Sequence, residues 1–298
     1  MQARTAVASR WTKSLMRGEV PTDTDVVDHL LAVHQANAGF TESCALKCRD
    51  VSGQNSYEAL ARLIDPEKHT DVLDLACGSG ALLAISHQRV GSQVNFTGVD
   101  ISAEELVLAR QRNPDAAIKL HQGTAQNLHF VGDHSIDVML CHWALTLLND
   151  VPLVLQEIDR VLRPRGVFSA IVDGDPSTAP MYTEVHDIIY RWVEEVCPQY
   201  GVSDLGDPRV RTADALHELT LAAFPRAQIE IHPLVFTLNG PPDLIAREAS
   251  GFFYAAFVLP SPQYRQMLEE LEALFEQRSD GGPSSFALPV NQLVIRKS

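Results

Sequence analysis

The run Val72-Leu73-Asp74-Leu75-Ala76-Cys77-Gly78-Ser79-Gly80 carries the residues best suited to chemistry. An apolar stretch leads into a turn with two glycines, and a helical pattern opens directly after it. A glycine turn at a helix start lets backbone N–H groups approach a bound ligand closely, because no side chain stands between them. About 20 residues further on, Gly98-Val99-Asp100 ends a second apolar run in a carboxylate, which is suited to accept both hydroxyls of a ribose. This spacing also fits a nicotinamide dinucleotide fingerprint. Three details count against that reading: Leu83 stands where the third glycine belongs, Asp74 lies inside the first strand, and no second glycine turn marks another mononucleotide-binding half. Each acid also has a structural reading, Asp100 as a helix cap and Asp74 as a partner for loop N–H groups.

Positioning these groups takes strands and helices in alternation. Short β-rich runs fall at Asp71–Leu75, Gln93–Val99, Ala117–His121, Ile136–Cys141 and Gly166–Val172, with helical stretches at Ser79–Gln88, Ala103–Arg112 and Val151–Leu162 between them. Ser102 with Glu105 three residues later reads as a capping box. Strand, helix, strand at this spacing predicts a parallel sheet with helices on its faces. Before it, residues 1–70 read as helical, near Thr24–Ala36 and Ser56–Ile64, until Asp65-Pro66 stops the pattern. After Gly174 the rhythm breaks. Residues 176–222 read as mainly helical, and a strand at Ala227–Leu238 runs into the Gly240-Pro241-Pro242 turn. Helical stretches at Leu244–Val258 and Pro262–Arg278, a loop at Ser279–Pro283 and a strand at Val290–Arg296 follow. The expected architecture is α/β: a doubly wound, mostly parallel, seven-stranded Rossmann-like sheet. Residues 1–70 form a helical lid segment, and residues 71–298 form the core, with helical cap insertions near 176–222 and 241–280.

Five segments in order resemble the motifs of class I S-adenosylmethionine-dependent methyltransferases of the small-molecule type. They are Asp74 to Gly80, Gly98-Val99-Asp100-Ile101-Ser102, Gly123-Thr124-Ala125-Gln126-Asn127-Leu128, Ile136 to Cys141, and Leu162-Arg163-Pro164-Arg165-Gly166. The resemblance covers about a third of the chain, and the order of the motifs is more specific than any one of them. It implies S-adenosylmethionine as cofactor, released as S-adenosylhomocysteine, and no metal. Asp74 and the turn through Ala76, Gly78 and Gly80 would hold the methionine portion, and Asp100 the ribose. Ile101 would pack on the adenine, Thr124, Ala125 and Gln126 would meet its edge, and Cys141 would offer backbone at the floor of the site. Thr124 stands where the family usually has Asp, so a hydroxyl replaces a charge.

Methyl transfer is an in-line displacement from a sulfonium, for which a protein positions the nucleophile and excludes water. His142 is the first candidate base, at the tip of the fourth strand beside Trp143; His186 and His232 are weaker candidates. Tyr182, Tyr190 and Trp192 in the first insertion, and Phe252, Phe253, Tyr254 and Phe257 in the second, supply aromatic surface. Of these, Tyr182, His186 and Phe253 join Trp143 as the expected acceptor pocket. The expected acceptor is a small hydrophobic or aromatic specialised metabolite, methylated on oxygen ahead of nitrogen, sulfur or carbon. Three other classes stay open: an enzyme using the same cofactor for another reaction such as cyclisation, a non-catalytic subunit, and an NAD-dependent oxidoreductase.

Composition bounds the partners. The 298 residues carry 24 basic and 38 acidic side chains, a net charge of −14, which argues against nucleic acid as a partner. Hydrophobic residues at 45% and charged residues at 21% describe a globular chain, and no apolar run approaches the roughly 20 residues of a membrane helix. Cys44 and Cys48 form a C-x₃-C pair with no second pair of zinc-like spacing. Five irregularly placed cysteines fit free thiols in a reducing compartment, so cytoplasm is expected. Arg4, Arg10, Lys13 and Arg17, with no acid before Glu19, fit a targeting segment or a surface helix, and either a monomer or a homodimer suits the surface.

Overall fold

The computed structural model describes residues 4–40, 42–114, 117–202, 205–279 and 282–298. The chain begins with α1 (Arg10–Met16), α2 (Asp23–Asn37), α3 (Glu42–Lys47) and α4 (Ser56–Ala61). The alternating part follows: β1 (Asp71–Leu75), α5 (Ala81–Val90), β2 (Asn95–Asp100), α6 (Ala103–Arg112), β3 (Lys119–Gln122), β4 (Ile136–His142), α7 (Val151–Val161) and β5 (Leu162–Asp173). Then come α8 (Tyr182–Val196), α9 (Ala213–Ala223), β6 (Gln228–Gly240), α10 (Pro242–Phe252), α11 (Ser261–Arg278) and β7 (Ser284–Arg296). Two compact units result. One comprises Met1–Gly53, Pro176–Asp204 and Val235–Pro289; the other comprises Gln54–Asp175, Leu205–Leu234 and Val290–Ser298.

The second unit holds the alternating part, and the expected seven-stranded, mostly parallel sheet forms in the order β3-β2-β1-β4-β5-β7-β6. β1 pairs in parallel with β2 and β4, β2 with β3, and β4 with β5, whereas β7 runs antiparallel to β5. Strand order reverses direction between β1 and β4, which opens the crevice where such sheets bind ligands. α7 shows why the layers adhere. Val151, Val154, Leu155, Ile158 and Val161 are all fully buried at helical spacing, in one core with Met139 of β4 and Phe168 of β5. At the opposite edge Arg163 bridges Asp137 at 2.6 Å and Asp71 at 3.1 Å, tying the starts of β1, β4 and β5 together.

Several boundaries differ from the sequence reading. β5 starts at Leu162 rather than Gly166, because Leu162 already pairs with Ile136 ahead of an irregularity in the ladder. Arg165, at φ 65°, takes up that irregularity. β7 starts at Ser284 rather than Val290, and the expected helix Leu244–Val258 ends at Phe252 before a short 3-10 segment. The stretch 176–222 separates into α8 and α9, the latter in the second unit. The boundary expected at residue 70 lies at residue 53, since α4 packs on α5 and on β4. Only half of the capping box forms: Ser102 Oγ accepts from Glu105 N at 3.2 Å, while the Ser102 N–H donates to Asp100 Oδ1 at 2.8 Å. Of the expected loop Ser279–Pro283, Asp280 and Gly281 lie outside the described residues.

The first unit is helical. α1 and α2 each begin with a complete capping box, built on Ser9 with Thr12 and on Thr22 with Asp25. α8 buries Val185, Ile189 and Val193, and α11 buries Met267, Leu271 and Phe275, in each case at four-residue spacing. The Arg4 guanidinium lies 3.9 Å from the Tyr264 ring centroid and 5.1 Å from that of Phe257, and it donates to Leu259 O. Among the described residues no helix is long and apolar enough to cross a membrane.

Candidate active site

The ends of β1, β2, β4 and β5 bring the expected groups to one edge of the sheet. The β1–α5 turn is contorted: Ala76, Gly78 and Gly80 all have left-handed backbones, at φ 54°, 50° and 75°. Ala76 adopts this conformation despite a cost of about 1–2 kcal/mol for an L side chain. Gly80 serves close packing, since a Cβ there would stand 2.9 Å from the Ala109 Cβ of α6. Gly98 on β2 serves the same end, because a Cβ there would lie 2.8 Å from Leu83 Cδ1 and 2.9 Å from Cys77 Sγ. Gly78 differs. A Cβ on it would meet only Glu105 Oε2, at 4.0 Å, so its outer side is open for a ligand.

Asp100 organises this turn. Its Oδ2 accepts from Gly78 N at 2.8 Å and its Oδ1 from Ser102 N at 2.8 Å. Asp74 is 2% exposed and its Oδ2 has no partner among the described residues. Burial, reinforced by the Asp100 charge, pushes its carboxyl well above the usual range. The two acids thus meet different surroundings: Asp74 is enclosed with one oxygen unpartnered among the described residues, and Asp100 accepts from backbone N–H groups.

Past β3, Gly123 N donates to Asp100 O at 3.0 Å, which brings the segment 123–126 alongside the end of β2. Ala125 is buried, Thr124 is exposed, and Ile101 and Gln126 are half-buried. Gln126 Nε2 donates to Asn149 O at 2.7 Å, so the side chain is already oriented by the loop before α7.

At the tip of β4, Cys141 is fully buried, and burial pushes its thiol up to about 12. That thiol is no nucleophile at neutral pH. His142 stacks on Tyr57 at 3.6 Å between centroids, and its Nε2 lies 2.8 Å from Ser56 Oγ. It is half-buried by exposure, but dense surrounding protein desolvates the ring and lowers its pKa to about 3, so it is neutral at physiological pH. Trp143, at φ 57°, donates from Nε1 to Asp173 Oδ1 on β5 at 2.7 Å. Burial raises the Asp173 carboxyl, against the opposing effect of the Trp143 bond. Sequence reasoning missed Ser56, Tyr57 and Asp173; the aromatic-acid pairing across adjacent strand tips was the only local signal for Asp173.

The other expected pocket residues belong to the first unit. Tyr182 lies 5.4 Å from Phe253, and His186 stacks on Tyr190 at 4.1 Å and lies 6.1 Å from Phe253. They form one aromatic group with each other. His232 is exposed on β6, 3.1 Å from Glu230. No group of three or more metal-binding side chains occurs among the described residues.

Residues 66–198 match a family model described as a methyltransferase domain. The demethylmenaquinone methyltransferase of Listeria welshimeri is 30% identical over 138 residues, which is 45% of this chain and 58% of that protein. The chain thus spans little more than half the length of the curated relatives it matches. Among solved structures, the YcgJ protein from Bacillus subtilis superposes with a TM-score of 0.54 at 19% identity, covering 81% of this chain and 97% of that one. The Haemonchus contortus phosphoethanolamine N-methyltransferase 2, in complex with phosphomonomethylethanolamine and S-adenosylhomocysteine, also gives 0.54, at 16% identity, over 93% of this chain and 60% of that one.

Proposed function

We propose that the chain is a class I S-adenosylmethionine-dependent methyltransferase, a reading supported by the methyltransferase-domain match over residues 66–198, and that it methylates a small hydrophobic or aromatic acceptor on oxygen. The observation that carries the reading is the tie between Asp100 and Gly78, which makes the β2 carboxylate and the open glycine turn one cradle at the switch point.

The residues present fit the cofactor: Gly78 is open on its outer side, an Asp74 oxygen is unpartnered among the described residues, and Asp100 is tied to the same turn. Asp74 and the backbone of Ala76, Gly78 and Gly80 would hold the methionine portion and Asp100 the ribose hydroxyls. Ile101 would cover the adenine, with Thr124, Ala125 and Gln126 at its edge, and Cys141 would contribute backbone below. S-adenosylmethionine, when bound, supplies an activated methyl on a sulfonium. Trp143 and His142 would line the acceptor side. A neutral His142 accepts a hydrogen bond from an acceptor hydroxyl, and its low pKa makes it too weak to take the proton before transfer begins. Its part is to orient the oxygen and receive the proton as the methyl arrives.

Calorimetric titration with S-adenosylhomocysteine, with NAD as control, tests the reading. Micromolar binding of the first alone is expected. Binding of NAD alone would return the chain to the oxidoreductases, and a product lacking the mass of an added methyl would place it with the cyclising enzymes.

A further inference from the structure

β4 ends at His142, and the next residue, Trp143, takes a left-handed backbone at φ 57°. That conformation is unfavourable for a bulky L residue and persists only where several contacts fix it. Three hydrogen bonds do so. Trp143 N donates to Ile171 O of β5 at 2.9 Å, Thr146 Oγ1 donates to Trp143 O at 2.8 Å, and Trp143 Nε1 donates to Asp173 Oδ1 at 2.7 Å. The first two hold the backbone of the turn. The third acts on the side chain alone, since rotating the indole about χ1 or χ2 breaks it.

Asp173 is itself anchored. It pairs with Val290 of β7, and its carbonyl oxygen accepts from Asn291 Nδ2 at 3.2 Å. A group on a strand flanked on both sides holds its place better than one on a loop. Burial pushes the Asp173 carboxyl up, against the Trp143 bond and the Arg211 charge. An apolar side chain there would escape that penalty and still pack on the indole. What it would not do is fix the indole plane. That plane matters at this place in the fold, because the indole is half-buried and stands edge-on to His142, with centroids 5.4 Å apart and planes at 77°.

We propose that Asp173 is a positioning residue of the acceptor site: by holding the indole N–H it sets the plane of Trp143, against which the flat ring of the acceptor lies while its hydroxyl meets His142. The proposal rests on the reading of the β4 tip as the acceptor wall. Stacking depends on ring plane and offset, and a platform fixed in advance leaves less to be ordered on binding. Asp173 acts through Trp143 and needs no contact with the acceptor.

Calorimetry with 2-naphthol, a flat phenol, on the full chain saturated with S-adenosylhomocysteine tests this. Asp173→Leu should weaken 2-naphthol binding about fivefold, the worth of one hydrogen bond. Asp173→Asn, whose amide oxygen still accepts the indole N–H, should stay within about twofold of the native chain. Trp143→Phe should also lose affinity, and adding Asp173→Leu to it should cost nothing further, because the two residues act as one. In proton–nitrogen correlation spectra the Trp143 indole N–H, assigned by its absence from Trp143→Phe, should exchange with water faster in Asp173→Leu and as slowly as native in Asp173→Asn. A merely structural Asp173 would lower the melting temperature without this pattern. Unchanged 2-naphthol affinity in Asp173→Leu, an equal loss in Asp173→Asn, additive losses in the double variant, or no 2-naphthol binding to the native chain overturns the proposal. The asparagine variant keeps the test open if the leucine one does not fold: weakened affinity or a fast-exchanging indole N–H in it also overturns the proposal. S-adenosylhomocysteine affinity should be the same in every variant. Its absence from the native chain would sink the methyltransferase reading, and 2-naphthol titrated alone would then still decide whether Asp173 acts through Trp143.

Discussion

The two acids Asp74 and Asp100 meet different surroundings, and each has a consequence. Asp100, bonded to the backbone N–H groups of Gly78 and Ser102, is the ribose acceptor in our proposal. Asp100→Ala should weaken S-adenosylhomocysteine binding by more than about tenfold, or about 1.4 kcal/mol, with an unchanged circular dichroism spectrum. Asp74 is different. Its folded pKa is raised by burial and by Asp100, so the unfolded chain releases this proton first, and stability falls as pH rises from the ordinary carboxylate range. Asp74→Asn, which copies the neutral form, should therefore melt higher than the native chain at pH 7, with the gap closing near pH 3.5. At His142 the expectation is kinetic: His142→Ala should lower turnover more than cofactor affinity. The native rate profile should carry no inflection near pH 6.5, because that ring titrates near 3. The residues proposed for the cofactor could be nominated from sequence because they sit in contiguous motifs. The partners of His142 were not, since Ser56 lies 86 positions away and no local pattern announces the contact.

Elements carry constraints that no single side chain shows. Gly206, at φ 77°, lets the segment before α9 close on the turn after β4; a Cβ there would stand 2.2 Å from Thr146 O. Thr146 Oγ1 in turn donates to Trp143 O at 2.8 Å, which fixes the backbone beside the proposed acceptor wall. Gly206→Ala should destabilise the chain by on the order of 2 kcal/mol or more, read as a lower urea midpoint. It should depress turnover while S-adenosylhomocysteine binding persists, since the glycine turn after β1 lies elsewhere. Strands and helices were legible where periodicity was unambiguous, as in α7 with its buried Val151, Val154, Leu155, Ile158 and Val161. The start of β5 was hidden by Pro164, which reads as a turn although the strand accommodates it at an irregular register. Ser102 shows the same limit. The capping-box spacing was present, but Asp100 outcompeted Glu105 for the backbone N–H.

For the molecule as a whole, two buried neutral histidines govern acid behaviour. His29 and His142 titrate near 4 and 3, below the ordinary value of 6.5, so the unfolded state binds their protons first. Stability should hold above pH 6.5 and fall as pH drops toward 4, by about 3 kcal/mol for the fully buried His29 alone. Urea midpoints between pH 7 and 4 check this, and His29→Gln should flatten the decline. The sheet architecture was readable from the strand–helix rhythm. The discontinuous first unit was not, because it gathers three stretches of chain that lie far apart in sequence and no local pattern links them.

The placement of β7 between β5 and β6 has a consequence for biosynthesis. β6 leaves the ribosome before β7, the strand beside it in the sheet, and α10 and α11 are translated in between. At about 5–20 residues per second that wait lasts several seconds. Throughout it, the edge of this thirteen-residue strand that β7 will cover stays open, while Thr237 can already pair with Arg49. Gln228, Glu230 and His232 along that strand keep the waiting edge polar, which makes it a poor template for a neighbouring nascent chain. Replacing them with valine would leave the finished sheet almost as before and raise the fraction lost to inclusion bodies during expression.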